Sequence, residues 1–184
     1  IMKKNINIGI IGLGHIGSRL YKEILSKRKD IQIKTGKNIK IIAISAKNIK
    51  KKRSFKFSKN IFYKNPMDIV KNPSVNIIFE LIGKQNGISK RIVESSLKNK
   101  KHVITANKAL MAKNGDYLSL LAEKNKVNLE FEAAVGGGIP ILRTIKDGLA
   151  TNKISKVVGI LNGTCNYILS EMENSNDSFL NVLN

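Results

Sequence analysis

Ile6-Asn7-Ile8-Gly9-Ile10-Ile11-Gly12-Leu13-Gly14-His15-Ile16-Gly17-Ser18-Arg19-Leu20 decides the fold. An apolar run, the length of one buried strand, ends at Ile11. It turns through Gly12-x-Gly14-x-x-Gly17 into a segment of helical periodicity. Strand, glycine turn and helix in that order are the context in which this glycine spacing binds a dinucleotide. Gly12 lets the main chain leave the strand sharply, Gly14 leaves room for a pyrophosphate against the backbone, and Gly17 lets the helix lie close to the strand. The free amides of the first helical turn, at the positive end of the helix dipole, then hold the phosphates. Ile11, Gly12, Gly14, His15, Ile16 and Gly17 are therefore the expected cofactor-binding residues. The plainer alternative is a glycine turn that holds no ligand.

On either side of this turn the pattern alternates between strand and helix. Residues 18–28 predict an amphipathic helix with Leu20, Ile24 and Leu25 on one face. Residues 27–40 are polar and predict a connection holding at most a short strand. Residues 39–45 predict the second strand, 66–70 a short helix with Pro66 early in it, and 75–82 a third buried strand closed by Gly83. A helix over 88–98, a strand over 102–105, a helix over 107–125 and a strand over 127–131 complete the rhythm. Such alternation predicts a Rossmann-like, doubly wound parallel α/β sheet. At about residue 133 the character changes. A glycine-rich junction, a helix over 139–149, a strand over 155–161 and a last helix opening at Asn162-Gly163-Thr164-Cys165 predict the beginning of a second α+β domain. The domains are thus expected at 1–133 and 134–184. The chain opens Ile1-Met2 and closes at Asn184 inside a helix-like pattern, and a fragment is expected.

The residue just past the second strand faces the adenosine ribose in this kind of fold, and an acid there favours NAD. No Asp or Glu occurs between Asp30 and Asp68; Ser45, Lys47, Lys50, Lys51, Lys52 and Arg53 follow the strand instead. The expected cofactor is accordingly NADP, with Lys47 toward its 2′-phosphate and NAD as the other possibility. The same lysines also read as ordinary surface composition. Residues 50–60 look like a mobile basic loop.

The formal charge of +20 raises nucleic acid as a partner. It is almost all lysine, scattered among Asn and Ile, and no aromatic side chains interleave with a basic stripe. No specific nucleic-acid partner is expected. No apolar run approaches membrane-spanning length, and no secretion signal opens the chain, so neither a membrane partner nor export is expected. The single cysteine, Cys165, forms no internal disulfide, which fits a cytoplasmic location.

Three further segments carry chemistry. TANKALMA (105–112) lies at the carboxyl end of a strand, where open α/β sheets bind ligands, and offers Lys108. EAAVGGGIPI (132–141) and GILNGTCNYIL (159–169) follow. With GLGHIG (12–17), these segments resemble homoserine dehydrogenase, in order and at family-like spacing, over residues 6 to about 172. The resemblance implies interconversion of L-homoserine and L-aspartate 4-semialdehyde with NAD or NADP, in threonine, methionine and isoleucine synthesis.

The resemblance also implies residue roles. It sets Lys108 beside nicotinamide and substrate, with Thr105 in the same cofactor-lining strand end. It puts Glu132, Val135, Gly137 and Ile139 around a monovalent cation, which oxygen ligands suit if it is sodium. It brings Gly163 and Thr164 near the amino acid. Gly136–Gly138 also reads as a hinge, Glu132 as a surface carboxylate, and Cys165 as a small packing residue. The family's catalytic aspartate and lysine, and a substrate-holding glutamate, would fall after Asn184, so the chain alone is expected to bind NADP weakly or not at all and to show no turnover. The family's dimer implies a homo-oligomer. Two other readings stay open: a different semialdehyde or amino-acid dehydrogenase on the same domain, and a cofactor-binding sensor or partner subunit without chemistry.

Overall fold

Asn5–Ile11 forms β1, an interior strand of the sheet. Its side chains at Ile8, Ile10 and Ile11 are buried, because parallel neighbours flank it on both sides and helices cover both faces. Each isoleucine so buried contributes about 1.5–3 kcal/mol. The computed structural model describes residues 5–83, 87–160 and 162–183. The chain divides into two compact units, Ile1–Val135 and Gly136–Asn184.

In the first unit, α1 (His15–Ser26), β2 (Asn38–Ser45), α3 (Pro66–Lys71), β3 (Ile77–Glu80), α4 (Ile88–Lys98), β4 (His102–Thr105), α5 (Lys108–Lys124) and β5 (Leu129–Glu130) follow β1. All strand pairs are parallel, in the order β2-β1-β3-β4-β5. The Rossmann-like doubly wound sheet read from the sequence is thus the fold. Because β2 lies on one side of β1 and β3 on the other, the order reverses at β1, and the carboxyl ends of the strands splay there into a crevice. Helices α3, α4 and α5 cover one face through Ile69, Val70, Ile92, Val93, Leu97 and Leu110, whereas α1 covers the other through Tyr21 and Ile24.

One departure lies between α1 and β2. The polar stretch read as a connection contains α2 (Arg28–Thr35), ended by Gly36 at φ +66°. It buries no residue, so no apolar stripe marks it; its local hydrogen bonds and a left-handed glycine stop suffice. The Arg28 guanidinium donates to Asn38 Oδ1 at 2.8 Å and fastens the helix to the strand that follows.

The second unit is helical among its described residues. α6 (Ile141–Arg143) widens into a π-helical turn over Thr144–Gly148. α7 (Gly163–Ser175) is capped by Asn162, whose Oδ1 accepts the Cys165 amide at 3.0 Å, and α8 (Phe179–Leu183) closes the unit. The strand expected over 155–161 does not form: residues 155–160 are irregular and exposed, and Leu161 lies outside the described residues. A strand is held by a ladder, and no strand among the unit's described residues can share one. The helix expected from residue 139 starts at Ile141 instead, after Pro140 at ψ +52°, a value outside the helical range. Among the described residues no helix is long and apolar enough to cross a membrane.

Candidate functional site

The glycine turn sits at the carboxyl end of β1. Gly12 has φ +103°, and a Cβ there would lie 2.6 Å from the Leu81 carbonyl oxygen. A Cβ on Gly17 would overlap the Gly12 carbonyl oxygen, so α1 passes at a distance only glycine permits. Gly14 differs: nothing lies within 4 Å of its added Cβ. It is the N-cap of α1, and no side chain caps that helix. The first-turn amides of α1 therefore remain as donors. Gly12 N donates to Ser45 O at 2.9 Å and Leu81 N to Ile11 O at 2.8 Å, which ties the turn to the ends of β2 and β3.

Beside the turn is a groove of about 590 Å³. Ile11, Gly12, Leu13 and Gly14 form one wall, Ser45 to Asn48 a second, and Leu81, Ile82 and Ile88 a third. Lys47, Lys51, Arg53 and Lys64 also line it, and among the described residues no carboxylate does. His15, Ile16 and Gly17 lie on the first turn of α1 and not in the groove wall; His15 and Ile16 are exposed and Gly17 is buried. A larger cleft of about 740 Å³, lined by Lys71, Lys101 and His102, opens at the amino ends of the strands. Open α/β sheets take ligands at the other end, where the glycine turn lies.

The basic loop, read as mobile, carries packing contacts of its own. Tyr21 of α1 stacks on Phe55 at 4.6 Å, Phe55 meets Phe57 at 6.2 Å, and Phe57 stacks on Phe62 at 6.2 Å. Burial raises the Tyr21 hydroxyl pKa above its ordinary value. The Arg53 guanidinium lies over Phe57 and donates to the carbonyls of Asn48 (2.9 Å), Lys51 (3.0 Å) and Ile49 (3.3 Å). Its fork is spent on the loop, and its Nε is buried without an acceptor. The lysines, rather than Arg53, are the free-armed cations of the groove wall.

At the ends of β3 and β4 a polar cluster emerges that the sequence reading passed over. Glu80 is fully buried. Its Oε1 accepts the Ile82 amide at 2.9 Å and its Oε2 the Thr105 hydroxyl at 2.8 Å. The Thr105 oxygen accepts the Asn107 amide at 3.1 Å, and Asn107 Oδ1 accepts the Leu110 amide at 3.0 Å, capping α5. The hydroxyl of Thr105 is thus turned to Glu80 and buried. The only signal for Glu80 in the sequence is an acid inside a largely apolar run. Lys108 is the first residue of α5, exposed, with no acid in that helical turn. A cation at the positive end of a helix is locally unfavourable, which suits a site that receives an anion or an electron-rich oxygen.

Of the residues expected around a cation, Glu132 and Val135 lie in the first unit and Gly137 and Ile139 in the second. Glu132 opens a 3₁₀ turn, and its carbonyl accepts the Val135 amide at 3.1 Å. The Ile139 carbonyl accepts the Ile141 amide at 2.8 Å, and Gly137 is exposed at φ +29°. No cluster of three or more His, Cys, Asp or Glu forms a metal centre among the described residues. Gly163 and Thr164 are exposed on the first turn of α7, as is the free thiol of Cys165.

Comparison with known proteins points one way. The family model described as homoserine dehydrogenase, NAD-binding domain, matches residues 12–132, and the homoserine dehydrogenase model matches 140–184. The homoserine dehydrogenase of Neisseria gonorrhoeae is 40% identical over 98% of the chain, and that of Bacillus subtilis 37% over 98%. The crystal structure of a homoserine dehydrogenase from Thiobacillus denitrificans superimposes with a TM-score of 0.82 at 35% identity, covering 98% of this chain and 41% of that one. The chain spans about 41% of the length of these curated relatives.

Proposed function

The chain belongs to the homoserine dehydrogenase family, and from that premise we propose that it forms the cofactor-binding part of an NADP-preferring enzyme acting on L-homoserine and L-aspartate 4-semialdehyde. The observation that carries the cofactor choice is the groove beside Gly14: open above the glycine, walled by Lys47, Lys51 and Lys64, and without a carboxylate among the described residues that line it. A ribose 2′-phosphate gains charge-assisted hydrogen bonds there, and no acid selects the bare 2′-hydroxyl.

The nicotinamide cofactor supplies the hydride acceptor or donor; the chain's residues do the rest of the work assigned here. Gly12 and Gly14 admit the pyrophosphate to the backbone, and the first-turn amides of α1 donate to it. The Lys108 ammonium, on the first turn of α5, holds a substrate oxygen and stabilises negative charge as the hydroxyl proton departs. Gly163 and Thr164 contact the amino acid. Glu132, Val135, Gly137 and Ile139 offer oxygen donors, which suit a hard monovalent cation such as sodium. This reading gives the chain no general acid or base for the hydroxyl proton. It also carries a cytoplasmic location and a homo-oligomeric whole protein.

The test is a fluorescence titration of NADPH and NADH against the chain. NADPH is expected to bind about tenfold tighter, the worth of one charge-assisted hydrogen bond. Replacing Lys47 and Lys51 with Ala is expected to erase the difference. Tighter NADH binding overturns the NADP assignment.

A further inference from the structure

We propose that Glu80 is a positioning residue of the cofactor site, linking the groove wall to the helix that carries Lys108; the inference rests on the dinucleotide reading of that groove. Glu80 sits between two turns. On one side its Oε1 takes the amide of Ile82, which lines the groove. On the other its Oε2 takes the Thr105 hydroxyl, whose oxygen takes the Asn107 amide, and Asn107 caps α5 at the residue before Lys108. The chain of bonds has a direction. A carboxylate only accepts, so the Thr105 proton must point at Glu80, and the Thr105 lone pair is then left for Asn107. A fully buried carboxylate is costly unless its donors are in place, so the group holds both turns to one geometry. Register agrees: Ile11, Glu80 and Thr105 lie side by side on β1, β3 and β4, at the strand ends that face the crevice.

The decisive comparison replaces Thr105 in the ¹⁵N-labelled chain. Thr105→Val keeps the shape and loses the hydroxyl, whereas Thr105→Ser keeps the hydroxyl and loses the methyl. Glu80→Gln supplies the third variant; with its amide oxygen kept on the Ile82 amide, its Nε2 donates to the Thr105 oxygen and leaves the Thr105 proton without its acceptor. Positioning by hydrogen bond predicts that Thr105→Ser preserves the amide resonances of Asn107, Lys108 and Leu110. Thr105→Val and Glu80→Gln shift them and weaken NADPH binding, followed by the same spectra, about tenfold. The proposal is overturned if Thr105→Val matches the parent. It also falls if Glu80→Gln only lowers the melting temperature while those resonances and the affinity stay put. If the parent chain shows no cofactor-induced shifts at millimolar NADPH, this chain alone does not hold the dinucleotide. The comparison of the variants' amides then still decides whether Glu80 sets the start of α5.

Discussion

Gly14 and Gly17 are three residues apart and do different work. Gly17 serves the fold: a methyl there overlaps the Gly12 carbonyl, so Gly17→Ala is expected to cost about 1–3 kcal/mol in urea unfolding, as overpacking does. Gly14 has open space around it and φ −73°, which alanine adopts freely. Gly14→Ala is expected to change stability by less than about 0.5 kcal/mol while weakening NADPH binding, and calorimetry beside a cofactor titration separates the two. At the surface, Glu94 accepts from Lys98 at 2.6 Å and from the Tyr117 hydroxyl at 2.9 Å. The Lys98 hydrogen bond, then that of Tyr117, holds its carboxyl below the ordinary value. A lowered folded-state pKa means that the stabilisation is present above the unfolded-state pKa and is lost as pH falls through the folded one. Glu94→Gln is therefore expected to melt slightly below the parent at pH 7, with the gap closing in acid, below the ordinary carboxylate range. Residue roles of this kind were only half legible in sequence. The glycine spacing announces itself, but Glu80 depends on Thr105, 25 residues away, and the spent fork of Arg53 on how its own loop turns the carbonyls of Asn48 to Lys51 toward it.

Elements with a marked period were legible, and those without one were not. Helix α4 occupies Ile88–Lys98 and strand β4 His102–Thr105, the bounds read from the sequence, because their buried positions repeat with the right spacing. Helix α2 carries no such stripe; its Ile33 is exposed. Residues 155–160 show the reverse error. Val157, Val158 and Ile160 read as a strand, yet all three are exposed and unladdered. Propensity for extended backbone does not make a strand without a neighbour. Hydrogen exchange is expected to split accordingly, with the amides of β1 among the slowest in the chain and those of 155–160 without measurable protection. Slow exchange across 155–160 would mean that the segment has found a pairing partner in solution.

Across the molecule, 33 Lys and Arg stand against 13 Asp and Glu, and the unit built around one five-stranded sheet takes up nearly three-quarters of the chain. Dispersed lysine of this sort binds any polyanion weakly through counterion release. The chain is expected to stick to heparin at low salt, elute at modest salt, and show no preference among DNA sequences; a sequence-dependent affinity that survives salt would count against the enzyme reading. The sheet itself raises a different matter, that of assembling correctly. Strand β3 is Ile77-Ile78-Phe79-Glu80, and its first three residues fit either face almost equally well. Slid by one position, they would trade one apolar core for another at little cost. Glu80 would not: it would leave Ile82 and Thr105 and enter the layer beneath α1, among Ile8, Ile10 and Tyr21, as a buried charge short of donors. A one-residue slip of β3 would thus strip the carboxylate of both its donors, and the buried charge sets a penalty on the misaligned sheet.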